Sequence, residues 1–117
     1  MENCEGAFLD SVYDMLSETR RRCVLYHLHE VEETTVEELT RAVARREQGE
    51  PDKDHVRISL IHNHLPRLAD VGVIDYERAN GAVATTDGFD SVRETIEQSE
   101  RVELDRVSLS AELTENR

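Results

Sequence analysis

The sequence has only two cysteines, Cys4 and Cys23, and no apolar run close to the roughly 18 to 20 residues that a membrane helix needs. Two cysteines are too few for a disulfide scaffold, so both are expected to be thiols. The N-terminal segment MENCEGAFLD lacks the basic and apolar blocks of a signal peptide. These absences predict a cytoplasmic protein, and 117 residues provide one ordinary domain.

The motifs of catalysis are missing as well. The sequence has no Gly-rich phosphate loop, no nucleophile elbow and no acid pair flanked by apolar residues, so neither an enzyme nor a cofactor is expected. Cys23 and His27 have the i, i+4 spacing of two helical metal ligands, but there is no Cys-x-x-Cys motif and no third ligand at a suitable spacing. We therefore expect no metal, and interpret Cys23 as a small buried hydrophobe and His64 as a packing residue.

Lysine is almost absent, because 13 of the 14 basic residues are arginine and only Lys53 is lysine. Aspartate and glutamate number 26, which gives a formal net charge of −12. An acidic, Lys-poor surface is typical of proteins from salt-accumulating halophilic archaea, where it maintains hydration and solubility. An acidic mesophilic domain, or a negatively charged protein-binding domain, remains the alternative.

Apolar residues recur at helical spacing along most of the chain. Ser17 and Asp87 are expected to cap helices, and Thr35 with Glu38 has the spacing of a capping box. Asp52 or Asp54 is the expected cap of the fourth helix, which should end at Gly72. The predicted helices comprise residues 7–16, 18–29, 36–46, 54–70 and a last one after Asp87.

The fourth helix contains a conflict at Pro66. A proline nitrogen cannot donate to the carbonyl of His62, so a kink or interruption is expected there. The apolar spacing places four residues on the core side of this helix, namely Ile58, Ile61, Leu65 and Leu68. The outward side is then formed by Ser59, Leu60, Asn63 and Arg67, with Arg57 and His62 on the flanks.

A β-hairpin is predicted after this helix. Residues 73–78 alternate in strand fashion, with Ile74 and Tyr76 on one face, and Asn80-Gly81 leads to a partner strand at 82–85. An isolated hairpin is marginal, so this one must rest on the helices. Residues 101–117 are mixed in pattern and polar, and are expected to form a tail that frays or depends on a partner.

Three helices followed directly by a hairpin is the order of a winged helix-turn-helix. SETRRRCVLYHL resembles the opening helix of ArsR-type regulators, TTVEELTRAVA resembles their positioning helix, and HNHLPRLADVGVIDYE resembles the end of their recognition helix and start of the wing. The resemblance covers residues 17–88. The chain also looks like small haloarchaeal winged-helix domains that contain R-I-x-L-x-H-x-H-L-P-x-L-A-D-x-G-V, here Arg57 to Val73.

Two features depart from the ArsR-type pattern. The linker REQGEPDKD is long for a tight turn, and the hairpin tip has no basic residue beyond Arg78. The expected domain is a mainly α winged helix-turn-helix over residues 1–100, with its core at 17–88 and flanking helices at both ends.

The resemblance implies a DNA-binding transcriptional regulator that reads the major groove with the fourth helix. Residues 18–67 carry nine basic and ten acidic side chains, so most of the negative charge lies outside the predicted helix-turn-helix. Arg20, Arg21 and Arg22 either clamp phosphate or are solvated surface. The predicted DNA-binding residues are Arg57, Ser59, His62, Asn63, Arg67, Arg20, Arg21, Arg22 and Arg78.

Double-stranded DNA and a second copy of the chain are the expected partners. The first and last helices carry more apolar side chains than a small trihelical core should need, so they are expected to join two copies. The apolar residues assigned to this interface are Phe8, Leu9, Val12, Phe89, Val92 and Ile96. The alternative function is a protein-protein interaction module on a winged-helix scaffold, whose acidic flanks recruit a basic partner.

Overall fold

The computed structural model describes the backbone of residues 3–47, 49 and 51–115, and the side chains of residues 8–47, 49 and 51–104. The fold is mainly helical with one small antiparallel sheet, as predicted. None of the described helices is long and apolar enough to cross a lipid bilayer. The elements in chain order are α1 (Asn3–Leu16), α2 (Thr19–Val31), β1 (Glu33–Thr35), α3 (Val36–Arg46), α4 (Lys53–Ser59), a π-helical turn (Leu60–His64), α5 (Leu65–Val71), β2 (Ile74–Glu77), β3 (Ala82–Thr85) and α6 (Asp87–Glu115).

The predicted helices are all present, and their bounds differ chiefly at the two ends of the chain. Helix α1 begins at Asn3 rather than at residue 7. Helix α6 continues to Glu115, so residues 101–115 are helical where a frayed tail was expected. The sequence has no glycine or proline after Gly88, and nothing therefore stops the helix once it has begun.

Two of the predicted caps are confirmed and two are wrong. The hydroxyl of Thr35 accepts from the Glu38 N–H at 3.2 Å, and the Asp52 carboxylate accepts from the Asp54 N–H at 3.0 Å. Ser17 instead donates its hydroxyl to the Asp14 carbonyl, which closes the end of α1 rather than the start of α2. The cap of α6 is Thr86, not Asp87, because the Thr86 hydroxyl accepts from the Gly88 N–H at 3.1 Å.

The hairpin is confirmed, but its connection is wider than the two-residue turn that Asn80-Gly81 suggested. Strands β2 and β3 pair antiparallel with Glu77 opposite Ala82, which leaves a four-residue loop. Gly81 has a φ of +75° and donates its N–H to the Glu77 carbonyl at 2.8 Å. The Asn80 side chain accepts from the Ala82 N–H, so both residues still shape the turn.

A third strand joins the sheet that the sequence predicted as a simple hairpin. Strand β1 pairs antiparallel with β3, with Thr34 opposite Val83, and the strand order is β1-β3-β2. Three residues are too few to give a recognisable alternation, which is why the pattern did not reveal this strand. The pairing of β1 with β3 connects the segment between α2 and α3 to the hairpin by backbone hydrogen bonds.

A single core contains side chains of both the first helix, α1, and the last helix, α6. Val12 of α1 and Phe89, Val92 and Ile96 of α6 pack in the same buried cluster as the leucines of α2, α3 and α5. These four side chains were expected to form a surface between two copies, and that expectation is wrong because the core of one chain already buries them. Exposed apolar side chains on the same two helices are Phe8, Leu9, Tyr13, Val102 and Leu104.

The helix that contains Pro66 is interrupted as predicted. Residues 53–71, which we call the composite helix, consist of α4, the π-helical turn and α5. The Leu65 N–H donates to the Leu60 carbonyl, five residues back, directly before the proline. Pro66 has no N–H for the His62 carbonyl, and the wider π turn moves that carbonyl away from the proline ring.

The π turn shifts the angular positions of the side chains in the first half of the composite helix by one residue. Val56 and Leu60 are fully buried at 0% exposure, whereas Ile58 is 53% exposed. One extra residue in the turn gives Val56 and Leu60 the angular positions that residues 57 and 61 would have in an unbroken α-helix. The expected placement of Ile58 in the core and Leu60 outside is therefore wrong, while Leu65 and Leu68 are buried as predicted.

A buried guanidinium joins α1, α2 and the composite helix. Arg21 is 4% exposed and donates to the carbonyls of Asp14 at 2.9 Å and Met15 at 3.4 Å, both in the last turn of α1. Its remaining amino group lies 3.2 Å from Nδ1 of His64, which is also buried. Because arginine can only donate, Nδ1 of His64 accepts and the ring is neutral. Burial and the neighbouring Arg21 lower the pKa of His64.

The register of the π turn predicts opposite outcomes for two apolar substitutions. Leu60→Ala should lower the free energy of unfolding by about 2 to 5 kcal/mol, because it leaves a cavity in the core. Ile58→Ala should change it by no more than about 0.5 kcal/mol, because the side chain is largely exposed. Denaturant unfolding of both variants measures the difference, and a larger loss for Ile58→Ala would contradict the register.

The Arg21–His64 contact predicts a pH dependence of stability. In the folded chain the pKa of His64 is lowered from its ordinary value of 6.5. The neutral His64 therefore contributes fully to the free energy of unfolding above pH 6.5. As the pH drops from there through the folded pKa this contribution is lost, because over that range the unfolded chain binds a proton that the folded chain does not. His64→Asn retains an acceptor and cannot titrate, and it should flatten the decline. Denaturant unfolding over a pH series checks this, with the exposed His62→Asn as control; parallel curves for parent and His64→Asn would refute it.

Candidate nucleic-acid interface

The outward face of the composite helix is formed by Ile58, His62, Asn63 and Arg67, whose side chains are all exposed. Asn63 and Arg67 thus lie where the sequence placed them, and His62 has moved from the flank onto the face. Ser59 is half-buried and donates its hydroxyl to the Val56 carbonyl at 2.9 Å. The π turn is the reason that an apolar residue, Ile58, lies on an otherwise polar face.

Asn63 and Arg67 act as one unit on this face. The Asn63 amide oxygen accepts from Nε of Arg67 at 2.8 Å, across one helical turn. A terminal nitrogen of Arg67 lies 3.6 Å from the Asp14 carboxylate of α1. The amide nitrogen of Asn63 keeps two donors and its oxygen has a second lone pair, so the side chain retains both a donor and an acceptor for a base edge.

Arg57 and Arg78 meet at a cleft between the composite helix and the hairpin loop. A cavity of about 240 Å³ is lined by both arginines together with Tyr76 and the first residues of α3. Nε of Arg57 donates to the Glu37 carboxylate at 3.0 Å, and both of these side chains are exposed. The structure therefore brings two predicted site residues together, and it also places a carboxylate beside them.

Arg20 is used inside the molecule rather than toward solvent. Its guanidinium forms a two-pronged ion pair with Glu47, at 2.5 and 3.0 Å, and donates to the Ser59 hydroxyl at 2.8 Å. The hydrogen bond from Arg20 lowers the pKa of Glu47, in agreement with a charged pair. Arg20 thus fixes the end of α3 and the middle of the composite helix against α2.

Arg22 and Arg21 are also committed to internal contacts. Arg22 donates to the Leu16 carbonyl at 2.6 Å and to the Glu103 carboxylate of α6 at 2.9 Å. Glu103 accepts a second hydrogen bond from the Tyr26 hydroxyl, and burial together with this bond raises the pKa of Tyr26 to about 12. The prediction that residues 20–22 clamp phosphate is wrong for Arg21, because its side chain is buried. For Arg20 and Arg22 it stays a prediction, and both are paired with carboxylates.

Three cations that the sequence analysis did not assign to the site lie beside it. Arg41 and Arg45 are exposed on the outer side of α3, and Lys53 is exposed at the start of α4. Together they line a cleft of about 410 Å³. Their signal in the sequence was the i, i+4 spacing of Arg41 and Arg45 on the polar side of a strongly amphipathic helix.

Cys23 is buried, as the sequence predicted. Burial raises the pKa of its thiol to about 11, so the reactive thiolate is scarce at neutral pH. Cys23 and His27 do line one cavity, of about 260 Å³, between α2 and α3. Among the side chains that the structure describes, no three His, Cys, Asp or Glu residues come close enough together to hold a metal ion.

Comparison with known proteins gives a family but no function. Residues 13–84 match the family model described as Domain of unknown function (DUF7344). No curated protein and no solved structure matches the chain. The matched residues run from the end of α1 through β3, and so contain the composite helix, the hairpin and both clefts with their arginines. With more than half of its length matched, the chain belongs to the DUF7344 family.

Proposed function

We propose that the chain is a DNA-binding transcriptional regulator of winged helix-turn-helix type. The observation that carries the proposal is the arrangement of α2, β1, α3, the composite helix and the hairpin, with a sheet in the order β1-β3-β2. In this arrangement α3 positions the composite helix, which enters the major groove, and the β2–β3 hairpin forms the wing. The uncovered face with Ile58, His62, Asn63 and Arg67 supplies the contacts.

The outward face has the chemistry to distinguish bases. Asn63 can pair with the N6 and N7 groups of adenine, and Ile58 provides an apolar contact for the methyl group of thymine. Arg67, which flanks Asn63, reaches either guanine or a phosphate. Arg78, in the hairpin loop, contacts the backbone from the wing. The combination favours A·T steps at the centre of the helix footprint.

High salt removes the main electrostatic objection to this function. The chain has a net charge of −12, yet its surplus of acidic residues lies mostly outside positions 18–67. In the cytoplasm of a halophilic archaeon, with molar salt, the Debye length is about 3 Å, and repulsion from the acidic flanks is screened. Binding then rests on contacts at hydrogen-bond distance, and the gain from counterion release is small.

A homodimer fits the exposed apolar side chains better than a monomer does. Phe8 and Leu9 are 46% and 50% exposed, and Tyr13 is 59% exposed, all on α1. Two copies related by a two-fold axis beside α1 would cover these residues and present two composite helices to adjacent half-sites. The residues that form this interface are thus Phe8, Leu9 and Tyr13, rather than the buried ones on the same helices.

A protein-interaction module is the second candidate, and one observation favours it. Arg57 and Arg67, the two arginines of the composite helix, each lie beside a carboxylate, Glu37 at 3.0 Å and Asp14 at 3.6 Å. A surface with alternating charges suits a protein partner as well as it suits DNA. The distinction depends on whether duplex DNA binds through the composite helix.

Substitution of Asn63 and Arg67 tests the DNA-binding proposal. Asn63→Ala should cost about 1 to 3 kcal/mol on a preferred duplex and little on random DNA, because it removes a base contact. Arg67→Ala should weaken both duplexes similarly if it meets phosphate, and its effect should not add to that of Asn63→Ala, because the two side chains are hydrogen-bonded. Binding is measured at molar potassium chloride on duplexes selected from genomic DNA.

The exposed amide Gln98→Ala on α6 is the matched control for Asn63→Ala, and it should bind every duplex as the parent does. If Asn63→Ala and Arg67→Ala remain folded and also bind like the parent, the recognition-helix proposal is wrong. The protein-interaction module then becomes the better explanation of the same surface.

Sedimentation equilibrium tests the dimer. At micromolar concentration and high salt, the parent should have twice the mass of the chain, and Phe8→Ser with Leu9→Ser should reduce it to the monomer. Ile58→Ser, which removes an exposed apolar side chain from another face, should remain dimeric. A parent that sediments as a monomer would contradict the arrangement.

A further inference from the structure

The cleft lined by Arg41, Ala44, Arg45, Pro51 and Lys53 is basic in an otherwise acidic protein, and we call it the basic cleft. It lies where the second half of α3 meets the start of α4. None of its three cations forms an ion pair with a carboxylate among the side chains that the structure describes. By contrast, Arg20, Arg22, Arg57, Arg67 and Arg93 all have such partners.

Helix stability does not account for all of these charges. Arg45 lies in the last turn of α3, where a cation is favourable for the helix dipole. Lys53 is the first residue of α4, where the positive end of the dipole disfavours a cation. Arg41 lies in the middle of α3 and gains nothing from either end. The helix dipole therefore favours only Arg45 among the three cations, and Lys53 is the single lysine of the chain.

The basic cleft and the outward face of the composite helix lie side by side. Glu37, Arg41 and Arg45 follow one another at intervals of four residues on α3, and Lys53 and Arg57 do so on α4. The Glu37–Arg57 ion pair joins the first of these rows to the second. Arg41 and Arg45 then continue along the row toward Lys53, with which they line the cleft.

We infer that the basic cleft binds phosphate groups of the DNA backbone next to the groove that the composite helix enters. This inference rests on the proposed function and extends it to residues outside the recognition helix. Arginine guanidinium groups bind phosphate oxygens in a bidentate manner, and lysine adds a mobile point charge. Because Arg57 and Arg67 are paired with carboxylates, these three cations add unpaired positive charge to the backbone contact that Arg78 makes from the wing.

The dependence of DNA affinity on salt tests the inference. Arg41→Gln and Arg45→Gln retain length and polarity but remove the charge. Each should lower the slope of log affinity against log salt by about 0.9 and the affinity by about tenfold, equally on preferred and random duplexes. Arg101→Gln, an exposed arginine of α6, removes the same charge elsewhere and should leave the slope unchanged.

The single lysine allows an independent measurement on the parent protein. An amine-reactive ester modifies only Lys53 and the N-terminal amine of this sequence, so the N-terminus serves as the internal reference. Saturation with duplex DNA should slow the modification of Lys53 severalfold relative to the N-terminus. Mass spectrometry of the labelled peptides gives the ratio.

Each result of these two experiments either supports or contradicts phosphate binding by the basic cleft. Unchanged salt slopes in Arg41→Gln and Arg45→Gln, or an unprotected Lys53 in a saturated complex, would overturn the inference and leave the proposed function intact. Losses confined to the preferred duplex would also overturn it, because they indicate base contacts. If the parent binds no duplex at all, the proposed function fails and the inference fails with it.

Discussion

The guanidinium of Arg21 is the contact on which the arrangement of the helices depends. It is a buried cation whose described partners are all neutral, namely two carbonyls at the end of α1, the Ser17 hydroxyl and His64. The carbonyl end of a helix carries a partial negative charge, and this offsets part of the cost of burying the cation. Since His64 is the last residue of the π turn, the same group sets the distance between α1 and the composite helix.

The neighbouring arginines extend this arrangement to the rest of the fold. Arg20 donates hydrogen bonds to Glu47 and Ser59, and Arg22 donates to the last carbonyl of α1 and to Glu103 of α6. Three consecutive side chains at the start of α2 therefore reach four other elements, because successive helical residues point 100° apart. A run of three arginines on an acidic chain here forms contacts within the molecule, so none of the three is an exposed, unpaired cation in the described structure.

Much of the fold could be predicted from the sequence, because helical periodicity and turn residues are local signals. The bounds of α3, the interruption before Pro66 and the hairpin at Asn80-Gly81 all follow from residues within one or two turns of each other. Strand β1 could not be predicted, because its pairing with β3 joins residues about fifty positions apart and the strand is only three residues long. The extent of α6 could not be predicted, because a polar segment of mixed pattern is as typical of a frayed tail as of an exposed helix.

The candidate site was predictable only in part, for a related reason. Asn63 lies near the end of the π turn and Arg67 lies after it, and both are exposed as expected. Ile58 and Leu60 lie before the end of that turn, and one inserted residue exchanges their environments. Pro66 thus decides whether Ile58 or Leu60 faces a groove, although both residues lie six or more positions before it in the chain.

Charge pairing explains why the predicted cations and the available ones differ. The chain has 26 acidic and 14 basic groups, and six arginines of the described helices, Arg20, Arg22, Arg46, Arg57, Arg67 and Arg93, are paired with carboxylates. A cation attracts a polyanion strongly only if no carboxylate lies within contact distance of it. This holds above all at high salt, which screens the charges that lie farther away. On such a protein, the informative residues for an anionic partner are the exposed cations with no ion pair among the described side chains. Three of these, Arg41, Arg45 and Lys53, line one cleft, whereas Arg78 and Arg101 do not line it.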